Sequence, residues 1–280
     1  MATKPLKKWC LAALRWFGIA LFLIWSILPI YLLVSSSLKS PADIFRVPTQ
    51  WIFTPTFENY VRLWNEWPIF FYSIRNSVII TFGATAITVI ASALAGWVLS
   101  RQQSLFVTGS AFAMLVLRLL PPIVITLPLF PAADFLHLSD THILLMMLYA
   151  TFFVSLGSWI MKASFDQVPR ELEEAAAADG ASFWRSLLHI SMPLGVPGMI
   201  AAGVFVFIFS WNEYLFAFIF STSNAKTAPV VLSEIMGSAT GVDWGVMFAA
   251  ATIQLLPIAL FIILAQKYLI EGLSAGSVKG

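Results

Sequence analysis

The stretch NSVIITFGATAITVIASALAGWVLS, residues 76–100, decides the fold class. It holds no charged residue and is closed on either side by an arginine, Arg75 and Arg101. As a helix rising about 1.5 Å per residue, a run of this length exceeds the roughly 30 Å hydrocarbon thickness of a bilayer. An apolar middle between charged ends is what a lipid-spanning helix requires.

Five more long apolar runs lie outward from this one, near residues 16–38, 105–130, 142–162, 196–220 and 244–266. Together they predict an all-α, polytopic membrane helical bundle of about six transmembrane helices, read as a single transmembrane domain over 1–280. Composition agrees. The 280 residues are 59% hydrophobic and 11% charged, with a mean hydropathy of +0.86, whereas soluble domains are about one quarter charged. A net charge of +2 gives no case for a nucleic-acid partner. The single cysteine, Cys10, rules out an internal disulfide and a thiolate metal set, and is read as an inert thiol.

The basic start with Lys4, Lys7, Lys8 and Arg15 resembles a signal-peptide n-region. The apolar stretch after it is longer than the usual h-region of roughly 7–15 residues, so an uncleaved first span is expected, interrupted by Pro29. The third run carries Pro121, Pro122, Pro128 and Pro131. Each proline frees a carbonyl, so this span is expected to be kinked or broken and to face protein or a cavity.

Lys and Arg set the orientation. With the N-terminus inside, the inner segments carry Lys4, Lys7, Lys8, Arg15, Arg101, Lys162, Arg170, Arg185, Lys267 and Lys279. The outer segments carry Lys39, Arg46, Arg62, Arg75 and Lys226, and Arg118 falls inside a span. Both termini are therefore expected in the cytoplasm. In the first outer loop, Tyr60, Trp64, Trp67 and Tyr72 suit either an aromatic belt at the headgroups or a binding role. The loop from Ser221 to Asp243 is polar at first, and its PVVLSEI stretch is expected as a short helix or strand.

The segment FDQVPRELEEAAAADGASFWRSLLHISMPLGVPG, residues 165–198, reads as helix, turn, helix on the cytoplasmic side. Pro169 suits a first helical turn, and Glu171, Glu173 and Glu174 favour the positive end of the helix dipole. Ala175 to Ala178 propagate the helix and Gly180 ends it. Ser182 is the expected cap of a second short helix, with Phe183, Trp184, Leu187 and Leu188 on an apolar side. An alanine face lets a partner approach the backbone closely, and the acids can meet basic residues. Such a loop fits either docking of a partner or simple solvation.

The spacing Glu174-Ala175-Ala176, three residues, Gly180, nine residues, Ile190, one residue, Met192-Pro193 is similar to the EAA loop of ABC importer permeases, with Met192 where leucine is commoner. The string EAAAADGAS resembles the carbohydrate-uptake branch, the family of the maltose transporter's smaller permease. Further similarity lies in SSSLKSPADIF, RNSV, WNEY at 211–214 and QKYLIEGLSAGSVKG at the end, so the resemblance covers nearly the whole chain. It implies a permease subunit in a bacterial inner membrane that forms a sugar or polyol pathway with a second permease subunit. Two ABC ATPase subunits would bind underneath, holding the ATP and Mg, and an extracytoplasmic solute-binding protein would deliver cargo. No cofactor is expected in this chain. The resemblance makes the loop at about 165–195 the coupling element, through Glu174, Ala175, Ala176, Asp179, Gly180, Ile190 and Pro193. It also implies that the tail at 267–280 reaches the ATPase through Gly272, Ser274, Gly276 and Lys279, and that the outer loop near 221–243 meets the binding protein.

The absence of a G-x-x-x-x-G-K-[ST] phosphate loop agrees with a motor on another chain, so the chain is not expected to be an enzyme. A self-sufficient secondary transporter or channel is the alternative. It would want coupling carboxylates within spans and repeated halves, and the sequence offers one such acid, Glu213, and no repeat. Arg118 either lines the passage, pairs across a subunit interface, or is structural. Trp211, Asn212 and Glu213 suit a sugar pathway, through an indole face and polar groups, or equally a helix-orienting hydrogen-bond network. His137, His142 and His189 lack the spacing of a metal site.

Overall fold

A backbone in lipid must satisfy its own N–H and C=O groups, and the apolar runs accordingly form helices. The computed structural model describes residues 3–238 and 241–275. In chain order the helices are α1 (Thr3–Ser37), α2 (Glu58–Glu66), α3 (Ile69–Arg101), α4 (Leu105–Leu119), α5 (Pro122–Phe135), α6 (His142–Phe165) and α7 (Glu171–Ala178). Then come α8 (Phe183–Ser186), a π-helical turn (Leu187–Ser191), α9 (Met192–Leu194), α10 (Val196–Trp211), α11 (Leu215–Phe220), α12 (Ala228–Met236) and α13 (Trp244–Ala275). Among the described residues, four helices are long and apolar enough to span a membrane, and bent pairs bring the number up to six.

Two compact units form. The first holds Met1–Pro68 and Glu234–Leu255. Here α1 is one continuous helix through Pro29, against the expected interruption. A single proline removes one donor and clashes with one carbonyl, which a helix free to bend accommodates. Residues 11–32 are exposed along its length, as suits a helix that is apolar all round. Buried Asn59 on α2 donates from Nδ2 to the carbonyls of Ser37 and Lys39 at 2.9 and 2.7 Å, closing the end of α1. Arg62 pairs with Asp243 and, at 3.2 Å, with Glu66. PVVLSEI lies within helix α12.

The second unit holds Ile69–Ser233 and Leu256–Gly280. Its centre is the α3–α6 crossing, where small residues bring the backbones together. A Cβ on Gly157 would collide with Ser92, and one on Gly96 with the backbone of Met161 and Lys162. Around the crossing pack Ile80, Leu145, Tyr149, Phe153, Val206 and Phe216, all buried.

Both bent spans lie in this unit. The proline-rich third span breaks between α4 and α5 with a 94° bend, as its prolines predict. The fifth differs from the expected continuous 196–220. Helix α10 ends at Trp211 and α11 restarts at Leu215. The Asn212 side chain donates to the Ile208 carbonyl, and the Glu213 carboxylate accepts from the amides of Phe216 and Ala217 at 3.0 and 3.3 Å. These short polar side chains compete with the helix ladder and stop it. The bend associated with this span lies earlier, 68° between Phe183–Leu194 and Val196–Trp211.

Candidate functional site

Helix α6 ends at Phe165, where Asp166 accepts from Lys162 Nζ at 2.6 Å and Ser100 Oγ at 2.7 Å. The chain then turns instead of starting a helix at Pro169, because its polar groups are already taken by α3. Arg101 donates to the carbonyls of Phe165 and Val168, and Arg170 donates to the Ser100 carbonyl at 2.7 Å. Helix α7 begins at Glu171 with its three acids in the first turn.

The end of α7 is a Schellman cap. Gly180 stands at φ +80°, its amide reaches the Ala177 carbonyl, and the Ala181 amide reaches Ala176 at 2.9 Å. Ser182 has the extended backbone of a cap, but its side chain makes no capping bond, contrary to expectation. The Ser182 carbonyl accepts the first intrahelical bond of α8, from the Ser186 amide at 3.0 Å.

This loop leaves bare surface. None of the residues of α7 is buried. Glu174, Ala175, Asp179, Gly180 and Pro193 are exposed, and Ala176 and Ile190 are half-buried. Four large apolar side chains join them, Leu172, Phe183, Trp184 and Leu188, each 45–61% exposed. Exposed apolar patches rimmed by polar groups mark contacts with another protein or with the membrane.

What holds α7 lies beneath it and was not singled out from the sequence. Glu173 accepts from Arg101 Nε at 3.0 and 3.1 Å, from Trp97 Nε1 at 3.2 Å and from Ser191 Oγ at 2.7 Å. Burial pushes the Glu173 carboxyl up, but the bonds from Arg101, Ser191 and Trp97 and the guanidinium charge outweigh it and hold it below its ordinary value. The signal in the sequence is the i, i+4 pair Trp97 and Arg101 at the end of a span.

The polar membrane residues are held differently. Arg118, in the last turn of α4, lines a cavity of about 450 Å³ with Met114, Leu117, Met147, Phe152 and Phe216. Trp211 is buried and stacked on Phe207, with ring centroids 6.3 Å apart. Asn212 is exposed, and Glu213 lies beside buried Tyr149. Phe216 links the two groups, since its ring lines the Arg118 cavity and its amide binds Glu213. In the tail, Gly272 and Ser274 fall within α13, while Gly276 and Lys279 lie outside the described residues. His142 Nε2 pairs with Asn76 Oδ1 at 2.8 Å.

Comparison with known proteins places the chain in a family. Residues 87–274 match the family described as binding-protein-dependent transport system inner membrane component. The chain is 34% identical over 285 residues to the probable ABC transporter permease protein YurM of Bacillus subtilis, covering 99% of this chain and 92% of that protein. It is 34% identical over 227 residues to the trehalose/maltose transport system permease protein MalG of Thermococcus litoralis, covering 80% and 82%. A crystal structure of a bacterial ABC transporter involved in the import of the acidic polysaccharide alginate shares the fold. Its TM-score is 0.76 at 19% identity, covering 94% of this chain and 97% of that one. The long apolar helices, the two broken spans and the family match over two thirds of the chain together make it a multi-pass inner-membrane protein, and it belongs to the permease family of binding-protein-dependent ABC importers.

Proposed function

We propose that this chain is one of two permease subunits of an ABC importer for a sugar or related polyol, with both termini in the cytoplasm. The observation that carries the coupling part is the bare α7–α8 hairpin, an alanine and acid face flanked by exposed Leu172, Phe183, Trp184 and Leu188. In this reading the hairpin seats in a cleft of one of two ATPase subunits. Glu174 meets basic groups there, Ala175 and Ala176 allow close approach, and Asp179, Gly180, Ile190 and Pro193 set the hairpin's shape. ATP-driven closure of the ATPases moves the hairpin, and the spans on either side of it carry that motion into the pore.

The tail, through Gly272, Ser274, Gly276 and Lys279, adds a second ATPase contact. The outer loop near 221–243 receives the binding protein. Sugar as the cargo is supported by the trehalose/maltose permease relative. Arg118, Trp211, Asn212 and Glu213 border the pathway in this reading. Glu213 shapes it by capping α11, and Trp211 does so by its packing on Phe207.

The test is uptake by the assembled complex in proteoliposomes. Gly180→Val forces a β-branched residue into a left-handed backbone position and unmakes the Schellman cap. Glu174→Lys inverts an exposed charge on the docking face. Both variants are expected to insert and assemble but to lose ATP-driven uptake, and normal uptake by both overturns the coupling role. A ligand screen on the cognate binding protein, read by thermal shift, identifies the solute class, and a response to no hydroxylated solute overturns the sugar assignment.

A further inference from the structure

The bare hairpin raises a mechanical problem, and its solution rests on the coupling reading above. A helix with no buried residue has little packing through which to push on its neighbours. Apart from its chain connections, it needs a specific tether to move a span. Two tethers tie the hairpin to α3, and both use the same tryptophan. From α8, the edge of Phe183 meets the Trp97 ring with centroids 5.2 Å apart. From α7, Glu173 binds Trp97 Nε1 and, one turn further along α3, the guanidinium of Arg101.

We propose that the Arg101–Glu173 ion pair, braced by Trp97 and Ser191, is the strut that passes movement of α7 into α3 and α6. Its position fits that task. The Arg101 and Glu173 side chains are 8% and 16% exposed, so the pair is shielded from solvent although α7 itself is not. Arg101 also donates to the Ser100 hydroxyl and to the carbonyls of Phe165 and Val168, at the end of α6 and the turn after it. Ser191 joins from the π-helical turn that leads toward α10. The pair thus links α7, α3, the end of α6 and the approach to α10. Splitting a shielded pair leaves an unpaired charge at high cost, so the four segments move together. Glu174, one position on, is exposed and free to face a partner. The two adjacent acids divide the work, with Glu174 turned outward for docking and Glu173 inward for transmission.

The experiment compares Glu173→Gln and Trp97→Phe with the unmodified chain in the full complex in proteoliposomes, reading solute taken up per ATP hydrolysed. Glu173→Gln keeps the side chain's size and removes its charge. It is expected to lower the ratio about tenfold, within the usual range of coupling between sites. Trp97→Phe removes one donor while keeping a ring for Phe183, and is expected to lower the ratio by a smaller factor. A merely structural role would reduce the amount of complex while leaving the ratio intact in the complexes that survive, and that result overturns the strut. If Glu173→Gln yields no complex, Trp97→Phe decides alone, and an unchanged ratio there overturns the proposal. The strut and the coupling reading fail separately. Normal uptake in both Gly180→Val and Glu174→Lys defeats docking, whereas an unchanged ratio in Glu173→Gln together with lost uptake in Gly180→Val defeats only the strut.

Discussion

Helix α7 and the α3–α6 crossing are both built largely from small residues, yet they are held in opposite ways. At the crossing, Gly96, Gly157 and Ser92 let two long helices meet backbone to backbone, and the surrounding side chains are buried. On α7, none of Ala175 to Ala178 is buried by this chain, and the helix is fixed by polar bonds at Glu173. Small residues in lipid buy close packing. At the end of the spans they leave a face open. The same composition serves rigidity in one region and vacancy in the other, and the difference is set by what surrounds it.

The contrast breaks most sharply at the crossing. Gly157→Val places a Cβ and its two methyl groups where Ser92 already stands. Overpacking of this kind costs about 1–3 kcal/mol. The expected outcome is a lowered unfolding temperature in detergent and a lower yield of assembled complex. Unaltered thermal stability would show that the two helices separate easily, and the crossing would no longer contrast with α7.

A second carboxylate sharpens the comparison, at the opposite end of α6 from Glu173. Asp140, just before α6, accepts the amides of Thr222, Ser223, Asn224 and Ala225 at 2.9–3.2 Å, and the Ser223 hydroxyl at 2.9 Å. Burial pushes its carboxyl up, but these backbone donors outweigh it and hold it well below the ordinary 3.8. Glu173 gathers side chains from several elements, whereas Asp140 gathers successive amides of one loop and gives it a fixed shape. Asp140→Asn loses the charge and one acceptor, which costs about 1–3 kcal/mol. Hydrogen exchange at residues 222–225 is expected to accelerate about tenfold or more, the equivalent of about 1.4 kcal/mol or more in local opening. The sign with pH follows from a depressed carboxyl. Its stabilisation is fully present above the unfolded value and is lost as pH falls through the folded one. The gap between wild type and Asp140→Asn is therefore expected to be constant near neutrality and to close only below the ordinary carboxylate range. A gap that already closes near pH 6 would point to some group other than this carboxylate.

How much of this was legible depended on whether a residue's neighbours are near in sequence. The apolar runs at 76–100, 142–162 and 244–266 announce their helices because lipid imposes a local rule on each residue. The break after α4 is legible in Pro121 and Pro122, and the end of α7 in Gly180, because those residues act on their own backbone. The end of α10 was missed. Trp211, Asn212, Glu213 and Tyr214 lie in an otherwise apolar run, and their capping bonds appear only once the chain folds. The Glu173 cluster was missed for a stronger reason. Glu173 lies 72 positions from Arg101 and 18 from Ser191, so no spacing rule connects them. Arg101 was legible only as a charge at the end of a span.

The smallest effect on the permease itself is expected on α7 and α8, where the comparison is most exposed. Trp184 is 61% exposed and Leu172 is 45% exposed. Substitution of such residues by alanine usually changes folding stability by no more than about 0.5 kcal/mol. A tryptophan that becomes buried against a partner can instead contribute about 2 kcal/mol or more to binding. Trp184→Ala is therefore expected to leave the unfolding temperature of the isolated permease unchanged while weakening retention of the ATPase about thirtyfold, measured by titrating ATPase onto permease in nanodiscs. Leu172→Ala should act in the same direction and less strongly. If both variants destabilise the permease alone and bind the ATPase normally, the hairpin's apolar face is part of this chain's own packing, and the distinction between a filled and an open small-residue surface falls with it.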